Sequence, residues 1–445
     1  MKTVTRFAPS PTGLLHIGNL RAALITWLYA KSTHGQFILR IDDTDLERSK
    51  VEYIDAIKED LRWLEIDWDI CIYQSTRYQQ YEISKKKLID SGRLYPCYET
   101  EEELMIKKRI LLSKGLAPIY DRSALKLTQK QRLALELKGI KPYWRFMLIN
   151  DNISWIDGVK GSLSFESKFL SDPVLVRTDG TLTYNLASVI DDIEYGVTNL
   201  IRGEDHITNS ALHIQIFQAL SATPPSFSHI PLMNIKDKKL SKREGSFSIR
   251  ELRKNGILPL SAQIFLSKIG TCDDIKISKN INNLIKEFSL TKLSKSTIQF
   301  DFNELIKFNI KLLRNLSFDE VKKNLKKVDM PYIEEELWQA VKLNINSLEE
   351  LKYWYKICNE DIKTKILDKD FIKLARSLIP EHRFNTDTWD VWITNIKKCT
   401  PLRGKELFSP LRIALTGLNK GPELKYLLPI MGRDLVKRRL EETTS

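Results

Sequence analysis

Residues 3–19, TVTRFAPSPTGLLHIGN, are the most informative part of the sequence about its fold. Residues 3–8 have the composition of a strand, and the prolines and glycine of residues 9–13 predict a turn directly after it. Apolar residues then recur at helical spacing from Leu20 to Ala30, and strand-like residues 37–41 follow. Together these segments predict a strand–helix–strand unit, which begins a parallel α/β fold.

Further along the chain, this alternation is interrupted and then returns. Residues 51–64 predict a second helix, whereas residues 81–185 combine charged helical stretches with short strand-like runs and indicate an insertion. The α/β pattern resumes with a strand at 197–202, a helix at 211–220 and a strand at 226–233. Beyond Leu260, helical periodicity continues nearly throughout, as at residues 281–288, 318–328, 334–343 and 348–358. The predicted fold class is a Rossmann-like α/β domain with an inserted α/β domain, followed by an all-α C-terminal half.

Composition limits the class of protein. The 445 residues are enough for about three or four domains, and the net charge of +13 at pH 7 favours an anionic partner such as nucleic acid. A generally lysine-rich composition would give the same excess charge.

No stretch approaches the roughly 20 apolar residues of a membrane span, and no signal-peptide pattern is present, so a cytoplasmic protein is expected. The five scattered cysteines contain no CxxC pair and are expected to be free thiols.

The motif His16-Ile17-Gly18-Asn19 stands where the first helix should begin. A helix N-terminus offers unpaired N–H groups and a positive dipole end, and glycine permits close approach of an adenine or a phosphate. His16 could supply a further donor to phosphate oxygens. The bland alternative is an ordinary histidine and glycine at a helix start, because four residues alone are a weak signal.

A basic pentapeptide, Lys239-Leu240-Ser241-Lys242-Arg243, follows the last predicted strand. Positioned cations stabilise the charge that develops on a leaving pyrophosphate. A solvated basic loop is the competing interpretation for this segment taken alone.

The two motifs, present together and in this order, resemble the two signatures of the class I aminoacyl-tRNA synthetases. Several other blocks are similar to those of the glutamyl-tRNA synthetases, and they extend over the whole chain: residues 6–13, 40–45, 201–205, 409–417 and 432–434. This resemblance implies a six-part organisation. The expected parts are a first half of the catalytic domain at 1–80, an inserted acceptor-end-binding domain at 81–185, a second half of the catalytic domain at 186–235, a stem-contact domain with the basic loop at 236–310, and two helical anticodon-binding domains at 311–370 and 371–445.

The resemblance also implies roles for individual residues. Arg6 and Tyr184 would hold the side-chain carboxylate of glutamate, which gives selection by charge over glutamine. Arg202 would bind the α-carboxylate. The α-ammonium would be held by Asp42, Ser10 and the Ala8 carbonyl. Many family members have the longer Glu at the position of Asp42, so the shorter Asp42 could act through a water molecule. The residues expected at ATP are His16, Gly18, Asn19, Asp205, Leu232, Ser241, Lys242 and Arg243. The expected catalytic residues are His16, Lys239 and Lys242.

The expected activity is ATP-dependent ligation of L-glutamate to the 3′ end of tRNA through glutamyl-adenylate, with Mg²⁺ neutralising phosphate charge. The family's dependence on bound tRNA and its transfer to the 2′ hydroxyl are implied by resemblance alone, as is a monomeric state. Structural zinc, which some members hold with Cys and His in the inserted domain, is not expected. Only Cys97 occurs there, near Thr100 and Arg122.

Three alternative classes of protein share part of this pattern. Glutaminyl-tRNA synthetases share both signatures but pair an Asp-Asp-Thr-Asn block with a β-barrel anticodon region, whereas this chain has Asp42-Asp43-Thr44-Asp45 and predicted helices. A truncated relative that glutamylates a modified tRNA base would end near the catalytic core. A catalytically silent RNA-binding paralogue would be expected to carry a broken signature, and here both signatures are intact.

The identity of the charged tRNA, for glutamate, for glutamine or for both, depends on one further position. Family members restricted to the glutamate tRNA read the third anticodon base with an arginine, and the resemblance places Ser347 at that position. The surrounding run, residues 342–348, contains no arginine. Weak discrimination between the two tRNAs is therefore expected, unless another residue reads the base.

Overall fold

The computed structural model describes residues 2–45, 47–236, 248–278, 280–325, 332–362 and 368–442. The chain divides into two compact units: Met1–Glu251 with Ala262–Phe302, and Leu252–Ser261 with Asn303–Ser445. Among the described residues, no helix is long and apolar enough to cross a membrane. All five cysteines are unpaired.

The described strands and helices are numbered in chain order. The strands are β1 Val4–Phe7, β2 Gln36–Ile41, β3 Ile70–Tyr73, β4 Leu94–Cys97, β5 Tyr143–Phe146, β6 Asn152–Asp157, β7 Gly161–Glu166, β8 Val174–Val176, β9 Asn199–Gly203, β10 Ser226–Ile230, β11 Met233–Ile235 and β12 Ile298–Phe300. The helices are α1 Ile17–Ser32, α2 Val51–Trp63, α3 Tyr78–Asp90, α4 Glu101–Ser113, α5 Gln129–Leu137, α6 Tyr184–Glu194, α7 Ile207–Ala219, α8 Ile249–Lys254, α9 Pro259–Lys268, α10 Ile281–Glu287, α11 Phe302–Asn315, α12 Phe318–Leu325, α13 Glu335–Val341, α14 Leu348–Asn359, α15 Lys369–Ser377, α16 Thr388–Cys399, α17 Gly404–Thr416 and α18 Leu424–Glu442.

Parallel strands form the centre of the first unit. β2 pairs in parallel with β1 and with β3, and β9 pairs in parallel with β10. β9 lies beside β1, where the Thr198 N–H donates to the Val4 carbonyl at 3.0 Å. The strands lie in the order β3-β2-β1-β9-β10. From β1 the chain adds β2 and β3 on one side, and it later adds β9 and β10 on the other side of β1. Ligands of such sheets bind at the carboxyl ends of the strands at this kind of switch point.

Helix α1 packs against β1, β2 and β9. Its side chains Leu20, Ala23, Leu24 and Leu28 have no solvent exposure, which explains the continuous apolar run in the sequence. Just beyond the end of this helix, the Gly35 N–H donates to the Ala30 carbonyl at 2.7 Å. A Cβ at Gly35 would lie 2.5 Å from the Thr3 carbonyl oxygen, so glycine lets β2 start close beside β1.

The inserted residues form two sheets. β5 pairs antiparallel with β4 and β8, and β6 pairs with β7 as a hairpin. This hairpin packs against β10, where the Gly158 N–H donates to the Phe227 carbonyl at 2.9 Å. A Cβ at Gly158 would lie 2.2 Å from Ser228 Oγ. The insertion therefore shares a packed core with strands β9 and β10. The six domain boundaries stay a prediction.

The prediction of one strand at 226–233 was wrong. β10 ends at Ile230, and β11 begins at Met233 and pairs in parallel with β12 instead. Pro231 stands between them and has no N–H for a strand ladder. β12 also interrupts the region beyond Leu260 that was predicted to be helical nearly throughout, and β3 was not predicted.

In the second unit, every described element is helical. Trp338 and Trp392 are fully buried there, and Trp392 Nε1 donates to the Ala375 carbonyl at 2.9 Å. These two tryptophans are therefore core residues of this unit.

Candidate active site

Buried charges converge at the carboxyl ends of the central strands. Arg6 near the end of β1, Arg40 on β2 and Arg202 on β9 are all buried, and so are Asp42 after β2 and Asp192 on α6. A buried charge costs free energy unless it is paired with an opposite charge, from the protein or from a bound ligand.

One chain of ion pairs joins four of these residues. Arg6 Nε and Nη2 donate to Asp192 at 3.1 and 3.4 Å, and Arg40 Nη1 donates to the same carboxylate at 2.8 Å. Arg40 Nε and Nη2 donate to the two oxygens of Asp42 at 2.7 and 3.2 Å. Asp192 therefore fixes the two arginines against each other. Arg6 Nη1 has no hydrogen-bond partner within the described part of the chain.

Asp42 is more constrained than the sequence suggests. Burial raises the pKa of its carboxyl group, and the Arg40 guanidinium opposes this rise. The Asp42 N–H donates to the Pro9 carbonyl at 3.0 Å, which holds the end of β2 beside the loop that carries Ala8 and exposed Ser10. The structure thus brings together the three residues predicted at the α-ammonium, but it also gives the Asp42 carboxylate a cationic partner.

Arg202 differs from the other two arginines. Its side chain is 5% exposed, and it donates only to hydroxyl groups among the described residues, to Tyr184 Oη at 3.2 Å and to Ser210 Oγ at 2.7 Å. Its Nε is buried without a partner in the described structure. Burial lowers the pKa of Arg202, and the nearby charge of Arg6 lowers it further. Two buried guanidinium groups thus lie close together, and one of them lacks a carboxylate.

His16 caps helix α1. Its Nδ1 accepts from the N–H groups of Gly18 and Asn19 at 3.0 and 3.3 Å, and the Asn19 side chain accepts from the His16 N–H at 3.4 Å. Burial lowers the pKa of His16, which favours the neutral ring. Because Nδ1 accepts, the proton of the neutral ring is on Nε2, and this N–H remains available to a phosphate.

This cap changes the explanation of the first motif. Two of the helix N–H groups expected to meet phosphate are already paired with the imidazole. A Cβ at Gly18 would lie 2.8 Å from His16 Cε1, so the glycine makes room for the capping ring.

Asp205 and Leu232, two further residues predicted at ATP, lie near Gly203 at the end of β9. A Cβ at Gly203 would be 2.3 Å from Asp205 Oδ1 and 3.9 Å from Leu232 Cδ2. Leu232 is 46% exposed, and the Asp205 carboxylate is close enough to act on His16. Leu232 therefore offers an exposed apolar side chain near the end of a parallel strand. The other predicted ATP and catalytic residues, Lys239, Ser241, Lys242 and Arg243, lie outside the described residues.

Ser347 caps helix α14, where its Oγ accepts from the Glu350 N–H at 3.4 Å. Its Cβ would be 2.4 Å from a Cβ at Gly256, whose φ of +67° also favours glycine. Ser347 thus has a structural role independent of any contact with tRNA.

No group of three or more His, Cys, Asp or Glu side chains suited to a metal ion occurs in the part of the chain that the structure describes. Cys97 is buried, and its Sγ lies 3.7 Å from Tyr120 Oη. Burial raises the pKa of the Cys97 thiol to about 11, which disfavours the thiolate that zinc binds.

Sequence reasoning missed several residues of the site. Asp192 was not assigned, because an acidic residue on a helix is usually solvated, and Arg40 was seen only as part of a motif. Ser210, His229 and Asp157 were also missed, since they come from three distant segments. The available signal was the run Asp191-Asp192, which follows the mostly apolar residues 186–190 of the same helix.

The chain is similar to known proteins over nearly its whole length. The family described as tRNA synthetases class I (E and Q), catalytic domain, matches residues 2–307, and an anticodon binding domain matches residues 301–444. Glutamate–tRNA ligase 2 of Rickettsia canadensis and glutamate–tRNA ligase 1 of Rickettsia felis are each 47% identical over 442 residues, which is 99% of this chain and 99% of each relative. A crystal structure of a glutamate tRNA ligase from Elizabethkingia meningosepticum, in complex with its amino acid, superposes with a TM-score of 0.83 at 25% identity, covering 100% of this chain and 99% of that one.

Proposed function

The chain belongs to the class I tRNA synthetases of the E and Q group, and from this premise we infer that it attaches L-glutamate to tRNA at the expense of ATP. The reaction converts ATP, L-glutamate and tRNA into glutamyl-tRNA, AMP and diphosphate. Its full-length relatives are glutamate–tRNA ligases, and they favour neither a glutaminyl enzyme nor a non-catalytic paralogue.

The observation that carries the proposed glutamate site is Arg202. A buried guanidinium without an acidic partner in the described structure is costly, and a bound carboxylate would compensate its charge. We assign the α-carboxylate of glutamate to Arg202. The side-chain carboxylate goes to Arg6 Nη1 and to the hydroxyl of Tyr184, which accepts from Arg202 and can still donate its own proton.

The α-ammonium is assigned to the Ala8 carbonyl, Ser10 and Asp42. Each Asp42 oxygen accepts one hydrogen bond from Arg40 and keeps a lone pair for a second donor, directly or through water. Glutamine would offer Arg6 an uncharged amide instead of a carboxylate, so the pocket selects glutamate by charge.

The ATP phosphates are assigned to the Nε2 side of His16 and to the loop of Ser241, Lys242 and Arg243, and the adenine to Gly18 and Leu232. Mg²⁺, when bound with ATP, neutralises phosphate charge. Of the described residues assigned to ATP, Asp205 is the one with a carboxylate, which is 57% exposed and suits a hard cation.

With these contacts, the chemistry is positioning and electrostatic stabilisation. An oxygen of the glutamate α-carboxylate attacks the α-phosphorus of ATP, the bond to the β-phosphate breaks, and glutamyl-adenylate and diphosphate form. A terminal ribose hydroxyl of tRNA then attacks the acyl carbon, and AMP leaves. Neither step needs a covalent bond to the enzyme. A cytoplasmic location and a monomeric state stay predictions.

The direct test is aminoacylation of total tRNA with labelled glutamate and, separately, labelled glutamine. We expect label from glutamate alone in the acid-precipitable tRNA. Labelling by glutamine at a comparable rate would reject the proposed substrate.

Replacing Arg6 by Gln should raise the KM for glutamate by roughly 10- to 150-fold, because a hydrogen bond to a charged group typically contributes about 1.5–3 kcal/mol. Asp192 would keep Arg40 as a partner, so the fold should survive. KM values for glutamate and for ATP are the measurement, with Arg62→Gln on the exposed face of α2 as the matched control. An unchanged glutamate KM would remove Arg6 from the site.

We expect weak discrimination between the glutamate and glutamine tRNAs, because no arginine stands at or beside Ser347. Loss of one base-edge contact typically reduces discrimination by about 1–3 kcal/mol, roughly 5- to 150-fold. The test is charging of both purified transcripts with glutamate at the same salt concentration. A preference above about 10³ for the glutamate tRNA would contradict the proposal, because discrimination would then be strong without an arginine at this position. Ser347→Ala is the control: removing the helix cap should cost about 1 kcal/mol of stability and leave the ratio unchanged.

A further inference from the structure

A continuous line of buried polar side chains leads away from Arg202. Arg202 Nη2 donates to Ser210 Oγ at 2.7 Å, Ser210 Oγ lies 2.7 Å from His229 Nε2, and His229 Nδ1 lies 2.5 Å from Asp157 Oδ2. Ser210 and His229 have no solvent exposure, and Asp157 is 3% exposed. The line joins β9, α7, β10 and the end of β6.

The backbone brings these residues together. Arg202 and His229 are partners in the parallel register of β9 and β10. Asp157 reaches them because the β6–β7 hairpin packs on β10, and its carboxylate also accepts the backbone N–H groups of Val159, Lys160 and His229 at 2.9 to 3.0 Å. Asp157 is therefore held by the hairpin turn and by β10 together.

The proton positions decide which group donates and which accepts in each hydrogen bond of this line. Burial opposes the charge of Asp157, but the hydrogen bonds from His229 and from the backbone lower its pKa, so the carboxylate is ionised and can only accept. His229 Nδ1 must then carry a proton. Burial lowers the pKa of His229, so the ring is neutral and Nε2 is an acceptor.

Ser210 is the link between this imidazole and Arg202. Its hydroxyl proton can go to His229 Nε2 at 2.7 Å or to the His206 carbonyl at 3.3 Å. If the proton went to the His206 carbonyl, a lone pair of Ser210 Oγ would face the lone pair of His229 Nε2 across the shorter contact. The hydroxyl therefore donates to His229, and the lone pairs of Oγ can accept from Arg202. A hydroxyl that donates to a carboxylate-backed imidazole is itself a better acceptor, because hydrogen bonds in a chain polarise one another.

We propose that Ser210, His229 and Asp157 are positioning residues that hold Arg202 in place for the α-carboxylate of glutamate. This proposal rests on the proposed function, because it takes the α-carboxylate as the partner of Arg202. Ser210 is not a nucleophile in this arrangement, since its oxygen is fully buried and already bonded on both sides. The line gives a buried cation fixed acceptors without cancelling its charge, which remains for the substrate.

The experiment compares Ser210→Ala and His229→Asn with the unmodified full-length chain. Asn at 229 can still reach Asp157 but offers no acceptor at the former Nε2 position. Ser267→Ala on α9 is the matched control, because Ser267 is also buried and, among the described residues, its Oγ donates only to the Ile264 carbonyl of its own helix. The measurements are KM for glutamate, KM for ATP and kcat in ATP–pyrophosphate exchange with tRNA present.

We expect Ser210→Ala to raise the glutamate KM by about 10-fold or more, as for loss of a hydrogen bond to a charged group. His229→Asn should raise it by less, Ser267→Ala should not raise it, and the ATP KM should stay constant in all three. A second ligand separates positioning from general damage to the site. It is glutamol-adenylate, the analogue of glutamyl-adenylate in which a CH₂ group replaces the carbonyl that derives from the α-carboxylate.

Ser210→Ala should bind glutamol-adenylate as tightly as the unmodified chain does, because this ligand lacks the oxygen that Arg202 holds. Equal weakening for glutamate and for the analogue would show a merely structural role and overturn the proposal. So would a glutamate KM within about twofold of the unmodified chain, well below the loss expected for such a bond. If the unmodified chain itself shows no exchange with glutamate, the proposed function fails instead, which keeps the two failures distinct.

Discussion

Arg202→Met should lose glutamate activation by about 100-fold or more, because two charge-assisted hydrogen bonds to a carboxylate each contribute about 1.5–3 kcal/mol. The same substitution should leave the melting temperature unchanged or raise it. Arg202 is buried, its charge has no carboxylate partner among the described residues, and burial lowers the pKa of its guanidinium group. Removing such a charge relieves a cost of folding.

The measurements are glutamate-dependent ATP–pyrophosphate exchange and thermal unfolding, with Arg62→Met on α2 as the control for arginine removal. Loss of activity with a lower melting temperature would indicate that Arg202 mainly supports the fold. Addition of glutamate should stabilise the unmodified chain and not the variant, because only the former binds the carboxylate.

Lys242→Ala should lower the rate of adenylate formation by roughly 10²–10³, as is typical for removal of one positioned group that stabilises developing charge. The contact is made mainly in the transition state, so kcat should fall while the affinity for tRNA stays the same. Exchange kinetics and a tRNA-binding titration at fixed salt are the two measurements.

The matched control for this prediction is Lys236→Ala, a lysine shortly before the loop that is 69% exposed and lies 3.5 Å from Asp301. This exposed pair should contribute little, and its loss should leave exchange nearly unchanged. Near-normal exchange in Lys242→Ala would remove this lysine from catalysis.

Much of the fold followed from local pattern. The strand before Pro9, the helix after His16 and the strand before Asp42 were all predictable, because a buried parallel unit needs continuous apolar runs separated by turn residues. β11 and β12 were not, since each has three residues and forms only by pairing with a segment more than sixty residues away. Short strands of this kind have too little local signal.

The site was predictable in a different way. Arg6, Tyr184 and Arg202 were assigned through motif resemblance, and the structure brings them close together. Their contacts with glutamate stay a proposal. The partners that control them, Asp192 and the line from Ser210 to Asp157, depend on contacts between distant segments. Their charges and hydrogen-bond directions cannot be read from spacing along the chain. The role of Gly18 likewise became clear only from the cap, where its missing Cβ makes room for the His16 ring.

The central claim is that this chain activates glutamate, and ATP–pyrophosphate exchange tests it most directly. Each of the standard amino acids is assayed with purified full-length protein, with and without total tRNA. We predict exchange with glutamate in the presence of tRNA, and background exchange with glutamine and every other amino acid. Exchange with an amino acid other than glutamate, or no exchange with glutamate when tRNA is present, would contradict the account.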